Sequence, residues 1–318
     1  MKVALCCIAK LENDYIHEFV EYYNGIGFDK IFIYDNNDVD GERFETVISD
    51  YIESGFVDII DYRGRKQCQQ QAYHECYQSN NNEYDWIAFF DCDEFLTLVG
   101  YDTIHSFLNA TIFNNYQLIH INWLVYGDNE IVYKDSGLVQ ERFKDYKRPI
   151  YFKRHHIYPE NFLIKTIIRG GNGDRINWLS PTPHTPITTL SCCNSSGVKC
   201  NANESFTWYK YNNAYIKHYI SKSIEEWITI KKKRGYPDQS DELSALNTDI
   251  NQFFLINKVT KEKLNYLKSQ NIEYDVQDNC IQPHDHLGVK ALAKKCIGWL
   301  YTLFAVCENI INKKKYLK

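Results

Sequence analysis

Four short apolar runs, each followed by a segment of helical periodicity, constrain the fold more than any other feature of this chain. KVALCCIA (2–9), KIFIYD (30–35), FVDIIDY (56–62) and DWIAFFD (85–91) read as strands. The intervening DYIHEFVEYYNGIG places Ile16, Phe19, Val20 and Tyr23 on one helical face and ends near Gly25. ERFETVISDYIESG and KQCQQQAYHECYQ (66–78) read as two further helices. Strand and helix in alternation require right-handed crossovers and a parallel sheet covered on both faces. The fold class is therefore α/β. With 44% hydrophobic and 24% charged residues, the 318-residue chain lies in the globular range, which excludes wholesale disorder.

In such sheets ligands bind at the carboxyl ends of the strands. Lys10 and Glu12 follow the first strand, Asp35 and Asn36 the second, and Asp91, Asp93 and Glu94 the fourth. Continued strand geometry puts Asp91 and Asp93 on one face and turns Cys92 inward. Two carboxylates there suit Mg²⁺ or Mn²⁺, hard cations that keep positions open for phosphate oxygens. Glu94 is expected to cap the following element or to pair with a base.

A net charge of −5 argues against a general nucleic-acid binder, and the 11 cysteines contain no CxxC pair, so a structural zinc site has no support. Reduced, buried thiols fit a cytoplasmic protein. The apolar stretch Val3 to Ala9 stops at Lys10 without a small-residue cleavage site, which makes it a buried strand and not a secretion signal.

Beyond Tyr126 the alternation breaks. QLIHINWLVYG, FLIKTIIRGG and AYIKHYI (214–220) read as strands, SIEEWITIKKKRG as a helix, and 241–268 as helical. The expected organisation is a domain over 1–240, with halves 1–125 and 126–240, and a helical extension over 241–318. The tail 287–318 carries the apolar run Cys296 to Cys307 between lysine clusters. That run is shorter than the roughly 20 residues of a spanning helix. It packs on protein, or lies in a membrane interface held by lysine attraction to anionic lipid. The lysine flanks favour the second, giving a cytoplasmic protein peripheral to the inner face of the membrane.

DWIAFFDCDEFL, preceded by IAKLENDYIHEFVEYYNGIGFDKIFIYDNND, resembles glycosyltransferase family 92 and related family-2-like bacterial enzymes. The likeness continues in order through QQQAYHECY, INWLVYGDN, VQERF and KHYISKSIEEWITIKKKRG, over roughly residues 2–235. Leu11 departs from it, standing where many relatives carry Asn before Glu12. The resemblance implies a GT-A fold, a nucleotide-sugar donor that is most often UDP-linked, and inversion at the anomeric carbon. Galactose transfer is known among relatives. It further implies that Asp93 is the principal metal ligand, that Asp91 contacts ribose or metal, and that Lys10, Glu12, Asp35, Asn36 and Gln69 surround the nucleotide sugar.

A third metal ligand is usually a late histidine. His218 ends an apolar strand, with Lys222 placed for the diphosphate, and His184 in SPTPHTP competes. The base that deprotonates the acceptor is expected to be Asp128, after an aromatic loop where Trp123 and Tyr126 can stack on sugar. Glu141 in VQERF, which can equally pair with Arg142, is the second candidate. The expected acceptor is a glycan, carried on lipid if the tail meets a membrane. Two other readings are a nucleotidyltransferase, which lacks support because AKLEND carries no Gly-rich phosphate loop, and a non-catalytic carbohydrate-binding module.

Overall fold

The computed structural model describes residues 1–146, 159–179, 182–207 and 210–274. The chain divides into two units, and the sheet and helices below belong to the first, Met1–Pro149 with Tyr158–Ile272. The tail 287–318, and with it the expectation of an interfacial anchor, lies outside the described residues.

The strands are β1 (Val3–Ala9), β2 (Lys30–Asp35), β3 (Val57–Asp61), β4 (Trp86–Phe89), β5 (Glu94–Leu98), β6 (Leu118–Val125), β7 (Ile164–Arg169), β8 (Ile176–Asn177), β9 (Ile187–Thr188), β10 (Cys192–Asn194), β11 (Lys199–Cys200) and β12 (Ala214–His218). The main sheet runs β11-β10-β6-β7-β4-β1-β2-β3, with β12 paired to both β5 and β6. β1, β2, β3 and β4 pair in parallel, while β7 lies antiparallel between β4 and β6. β11 and β5 are also reversed, each against its neighbour, β10 and β12. This mostly parallel sheet, with the reversed β7 at its centre, is the GT-A architecture that the resemblance implies.

β1 shows why the expected two-sided burial holds. Val3, Leu5, Cys7 and Ala9 join one apolar cluster, with Ile16, Phe19 and Phe107. Ala4, Cys6 and Ile8 join another, with Ala72, Tyr73 and Tyr77. A strand in the middle of such a sheet has no polar face to show, so its sequence is continuously apolar.

Residues 42–55 differ from expectation. Only Ser49–Glu53 is α-helical, preceded by a 3₁₀ turn at Phe44–Thr46. Thr46, Val47 and Ile48 are consecutive β-branched residues, poor helix formers, and the helix cap Ile48 offers no side-chain acceptor. The 241–268 segment is three short helices, Asp241–Asn247, Ile250–Ile256 and Lys261–Ser269. They pack within the same unit as the sheet: Trp227 Nε1 donates to the Thr248 carbonyl at 3.0 Å, and the rings of Trp227 and Phe253 lie 5.6 Å apart. No helix among the described residues is long and apolar enough to cross a membrane.

Candidate active site

The reversal of β7 builds the site. Parallel β4, β6 and β12 end at one rim, where antiparallel β7 begins. The register opposes Phe89 to Thr166, so Lys165 stands beside the residues that follow β4. Pairing of β12 with β5 sets His218 opposite Glu94, and its pairing with β6 sets His218 opposite Val125. Four elements distant in sequence thus deliver their ends to one place.

The three acids there have three different fates. The chain turns after β4, with the Glu94 N–H donating to the Asp91 carbonyl at 3.0 Å; Asp91 and Asp93 stand on a turn, not on a continued strand. Cys92 is buried, as expected. Asp91 is ion-paired: Lys165 Nζ lies 2.6 Å from Oδ2, and Gln69 Nε2 and the Tyr73 hydroxyl donate to Oδ1, each at 2.9 Å. Burial opposes its ionisation, but Lys165 prevails and holds its pKa below the ordinary value. Glu94 is fully buried, and its Oε2 accepts from the Asp91 N–H at 3.0 Å. Burial pushes its carboxyl well above the usual range, although Lys165 lies 3.7 Å away. Its bond to the Asp91 N–H secures the turn.

Asp93 is the buried anion of the site. His218 Nε2, Lys231 Nζ and an Arg234 nitrogen lie 3.6, 3.7 and 3.6 Å from its carboxylate. Burial alone would raise its pKa; Lys231, then His218 and Lys222, hold it far below the carboxylate range. Arg234 also pairs with buried Glu12, and burial brings its own pKa down to about 10. The segment supplying Lys231 and Arg234 begins at Ser223 with a capping box to Glu226. A π-helical turn follows at Trp227–Lys231, a feature often met at functional sites. Gly235 closes it at φ +68, where a Cβ would lie 2.5 Å from Ser244 Oγ, so only glycine fits.

A cleft at this rim is lined by Lys10, Glu12, Asn36, Gln69, Asp91, Asp93 and His218, all singled out in the sequence, and by Trp123 and His184. Lys10 pairs with Asp38 at 2.7 Å. Four other expected residues stand elsewhere. Asp35 is locked below the rim by Arg63 at 2.5 Å and by Asn37, which donates to it from both backbone and side chain. Lys222 lines a smaller adjoining cavity, with its ammonium 4.1 Å from the centre of the Tyr15 ring, and adopts φ +49. Asp128 is buried against Lys263, and its N–H donates to Asn257 at 2.9 Å. Glu141 is exposed, and Arg142 pairs with Glu226 instead. Neither expected base lines the cleft. Tyr126 packs on Tyr219, ring centres 4.8 Å apart, while the Trp123 ring lies tilted against that of His218, centres 4.1 Å apart.

The sequence profile of glycosyltransferase family 92 matches residues 3–253. The chain belongs to glycosyltransferase family 92. A family 92 protein of Oryza sativa subsp. japonica is 28% identical over 107 residues, 33% of this chain and 18% of that one. One from Ricinus communis is 31% identical over 120 residues, covering 36% and 20%. The chain thus spans about a fifth of the length of these curated relatives. Among solved structures, S. aureus TarS in complex with UDP-GlcNAc aligns with 88% of this chain and 78% of its own at 10% identity and a TM-score of 0.38.

A divalent cation, as family resemblance implies, fits part of the donor set. His218 Nε2 faces Asp93 at 3.6 Å, and its Nδ1 has no hydrogen-bond partner among the described residues. Two ligands at about 2.1 Å from one ion stand about 3.0 Å apart at a right angle and further apart at wider angles. Asp93 and His218 therefore suit a shared ion. Asp91 fits less well, because its oxygens already accept from Lys165, Gln69 and Tyr73. His184 donates from Nδ1 to the Ile164 carbonyl at 3.0 Å, and burial brings its pKa down to about 3, so it is neutral.

Sequence reasoning on the family 92 chain missed Lys165, Lys231, Arg234 and Asp238, which also lines the cleft. A signal existed for two of them. Lys231 and Arg234 follow buried Trp227 by four and seven residues, the spacing of one helical face, while Lys232 and Lys233 are exposed. Lys165 was marked only as a lone cation within an apolar run. Asp238 follows Pro237, whose carbonyl accepts from the Cys68 N–H at 2.9 Å, docking the loop onto the start of the Gln69–Asn80 helix. Nothing local in the sequence announces that contact.

Proposed function

We propose that this family 92 chain transfers a sugar from a UDP-linked donor to a glycan hydroxyl, inverting the anomeric carbon and using a divalent cation. The observation that carries the reading is buried Asp93, set among His218, Lys231 and Arg234 in a cleft at the carboxyl ends of a mostly parallel sheet. An anion so placed within a cluster of cations suits a ligand bearing phosphates and a metal.

Asp93 and His218 would hold Mn²⁺ or Mg²⁺, which would supply Lewis-acid chemistry that offsets charge on the departing diphosphate. Lys231 and Arg234 bind the same phosphates; burial works against the charge on Lys231, but Tyr236 and Asp93 keep its pKa above the ordinary value. Gln69 and Lys165 orient Asp91 towards the nucleoside. Trp123 lines the cleft, and its ring packs against the donor sugar. Asp238 takes the proton of the acceptor hydroxyl. Burial raises its pKa, and Asp91 adds to the effect, which brings it closer to the range of an effective base. Galactose is the first donor sugar to test, and a lipid-carried glycan of surface polysaccharide synthesis the first acceptor.

Calorimetry with UDP, with and without Mn²⁺, tests this on the full chain. Binding is expected to require the metal, to be abolished in Asp93→Ala and to weaken in His218→Ala, alongside hydrolysis of a UDP-sugar from a panel. Sugar binding indifferent to metal, with no donor hydrolysed, means a binding module. Formation of a nucleotide sugar from a nucleoside triphosphate means a nucleotidyltransferase. Loss of metal dependence in His184→Ala alone transfers the ligand role to that residue.

A further inference from the structure

On the far flank of the sheet, three strands bring His120, Cys192 and Cys200 together. Cys192 and Cys200 oppose each other across the antiparallel pair β10–β11. Cys192 also stands beside Leu118 in the parallel pair β10–β6, and His120 is two residues further along β6 on the same face. The nitrogen and the two sulfurs lie within 4.8 Å of one another, the only such group of three His, Cys, Asp or Glu ligands among the described residues. None of the three lines the donor cleft.

The hydrogen bonds around His120 decide its chemistry. The Thr185 hydroxyl gives its proton to the Ala202 carbonyl at 2.7 Å, so towards His120 Nε2, 3.3 Å away, it acts as an acceptor. Nε2 therefore carries the proton, and Nδ1 presents a lone pair 3.7 Å from Cys200 Sγ. A buried imidazole whose outer nitrogen is anchored in this way has the arrangement of a metal-ligating histidine. The two sulfurs are 3.1 Å apart. Tetrahedral zinc with sulfur at 2.3 Å and nitrogen near 2.0 Å spaces the sulfurs by about 3.8 Å and nitrogen from sulfur by about 3.5 Å. The two sulfurs need to part by about 0.7 Å. A disulfide between the two cysteines would leave the buried Nδ1 lone pair without a donor.

We infer that His120, Cys192 and Cys200 form a binding site for a thiolate-seeking d¹⁰ cation, Zn²⁺, that staples the β10–β11 edge hairpin to β6. Its fourth position is left to water. On binding, the Cys192 and Cys200 thiols release their protons to solvent and no electron is transferred. Through Thr185 the metal also steadies the loop carrying His184.

The test uses full-length protein purified under reducing conditions. Mass-spectrometric metal analysis is expected to find one zinc per chain, retained in Cys193→Ser and Asp93→Asn and lost in Cys192→Ser, Cys200→Ser and His120→Ala. Cobalt exchanged for zinc is expected to give a sulfur-to-cobalt charge-transfer band that disappears in Cys200→Ser. Because a variant can misfold, the wild-type measurements decide by themselves. Absence of zinc after titration with Zn²⁺, or zinc without any cobalt–sulfur band, overturns the assignment. So does a Cys192–Cys200 disulfide found by non-reducing peptide mapping.

Discussion

Replacing Lys165 with Met removes the cation that holds the acid turn together. Lys165 is 1% exposed and its Nζ lies 2.6 Å from Asp91 and 3.7 Å from Glu94. Truncating one member of a buried ion pair typically costs 3–5 kcal/mol, because the remaining charge keeps its desolvation penalty without compensation. The Asp91 side chain retains 31% of its surface, which lets water screen the stranded carboxylate, so the lower end applies. The expected loss is about 3 kcal/mol at pH 7. The pH dependence has a defined sign. Lys165 depresses the folded-state pKa of Asp91, so the pair stabilises the fold above the ordinary carboxylate range, and that stability is lost as pH falls through the depressed value. Lys165→Met removes that contribution, and the gap between variant and wild type narrows in acid. Urea unfolding of wild type, Lys165→Met, Asp91→Asn and the double variant measures the coupling directly. A coupling of about 2 kcal/mol or more is expected from a contact this short. If the two single effects add to within about 0.5 kcal/mol, the pair does not organise the turn and the reasoning fails.

Glu226 sits at a second buried junction, bound by Arg142 at 2.8 Å, the Tyr15 hydroxyl at 2.6 Å and the Ser223 hydroxyl at 2.6 Å. Burial opposes its charge, but these donors bring its pKa down to about 2. Against an unfolded value of about 4.3, the depression is worth about 3 kcal/mol at neutral pH, which Glu226→Gln should lose. That difference shrinks as pH falls from about 4.3 towards 2 and is halved near about pH 3; a pH-independent difference in unfolding free energy refutes it. Leu11 holds φ +53, a conformation in which a non-glycine residue other than Asn or Asp is strained. Leu11→Asn is expected to raise stability by about 0.5–1 kcal/mol in thermal unfolding with UDP affinity unchanged, and a loss of stability contradicts the strain argument. Asp238→Asn should leave UDP affinity intact while slowing transfer by a factor on the order of 10² or more. Matching loss of UDP affinity would place Asp238 with the donor instead.

The local signals in this sequence were those of periodicity. Four continuous apolar runs with helices between them determined a parallel sheet buried on both faces, because a central strand can show no polar face. They also located the rim that carries the cleft, since acids and amides gather after those strands, at Glu12, Asn36, Asp91 and Asp93, and His218 ends a later strand at the same rim. Departures from the expected local structure were modest, as where consecutive β-branched residues shortened the second helix.

What tertiary structure alone decided was partnership. Whether an acid is a base, a ligand or a structural anchor depends on what faces it, and those neighbours come from strands and helices far apart in sequence. Asp128 read as a base beside an aromatic loop, but a helix from beyond residue 260 brings Lys263 against it. Lys165 was one cation in an apolar run until the reversal of β7 set it beside Asp91. Cysteines without a paired motif became neighbours when β11 folded onto β10, with His120 supplied by β6. Strand register is set by the packing of whole faces, and a shift of one residue would turn each of these side chains away. Periodicity thus determined the sheet and its rim, while register decided which charges meet there.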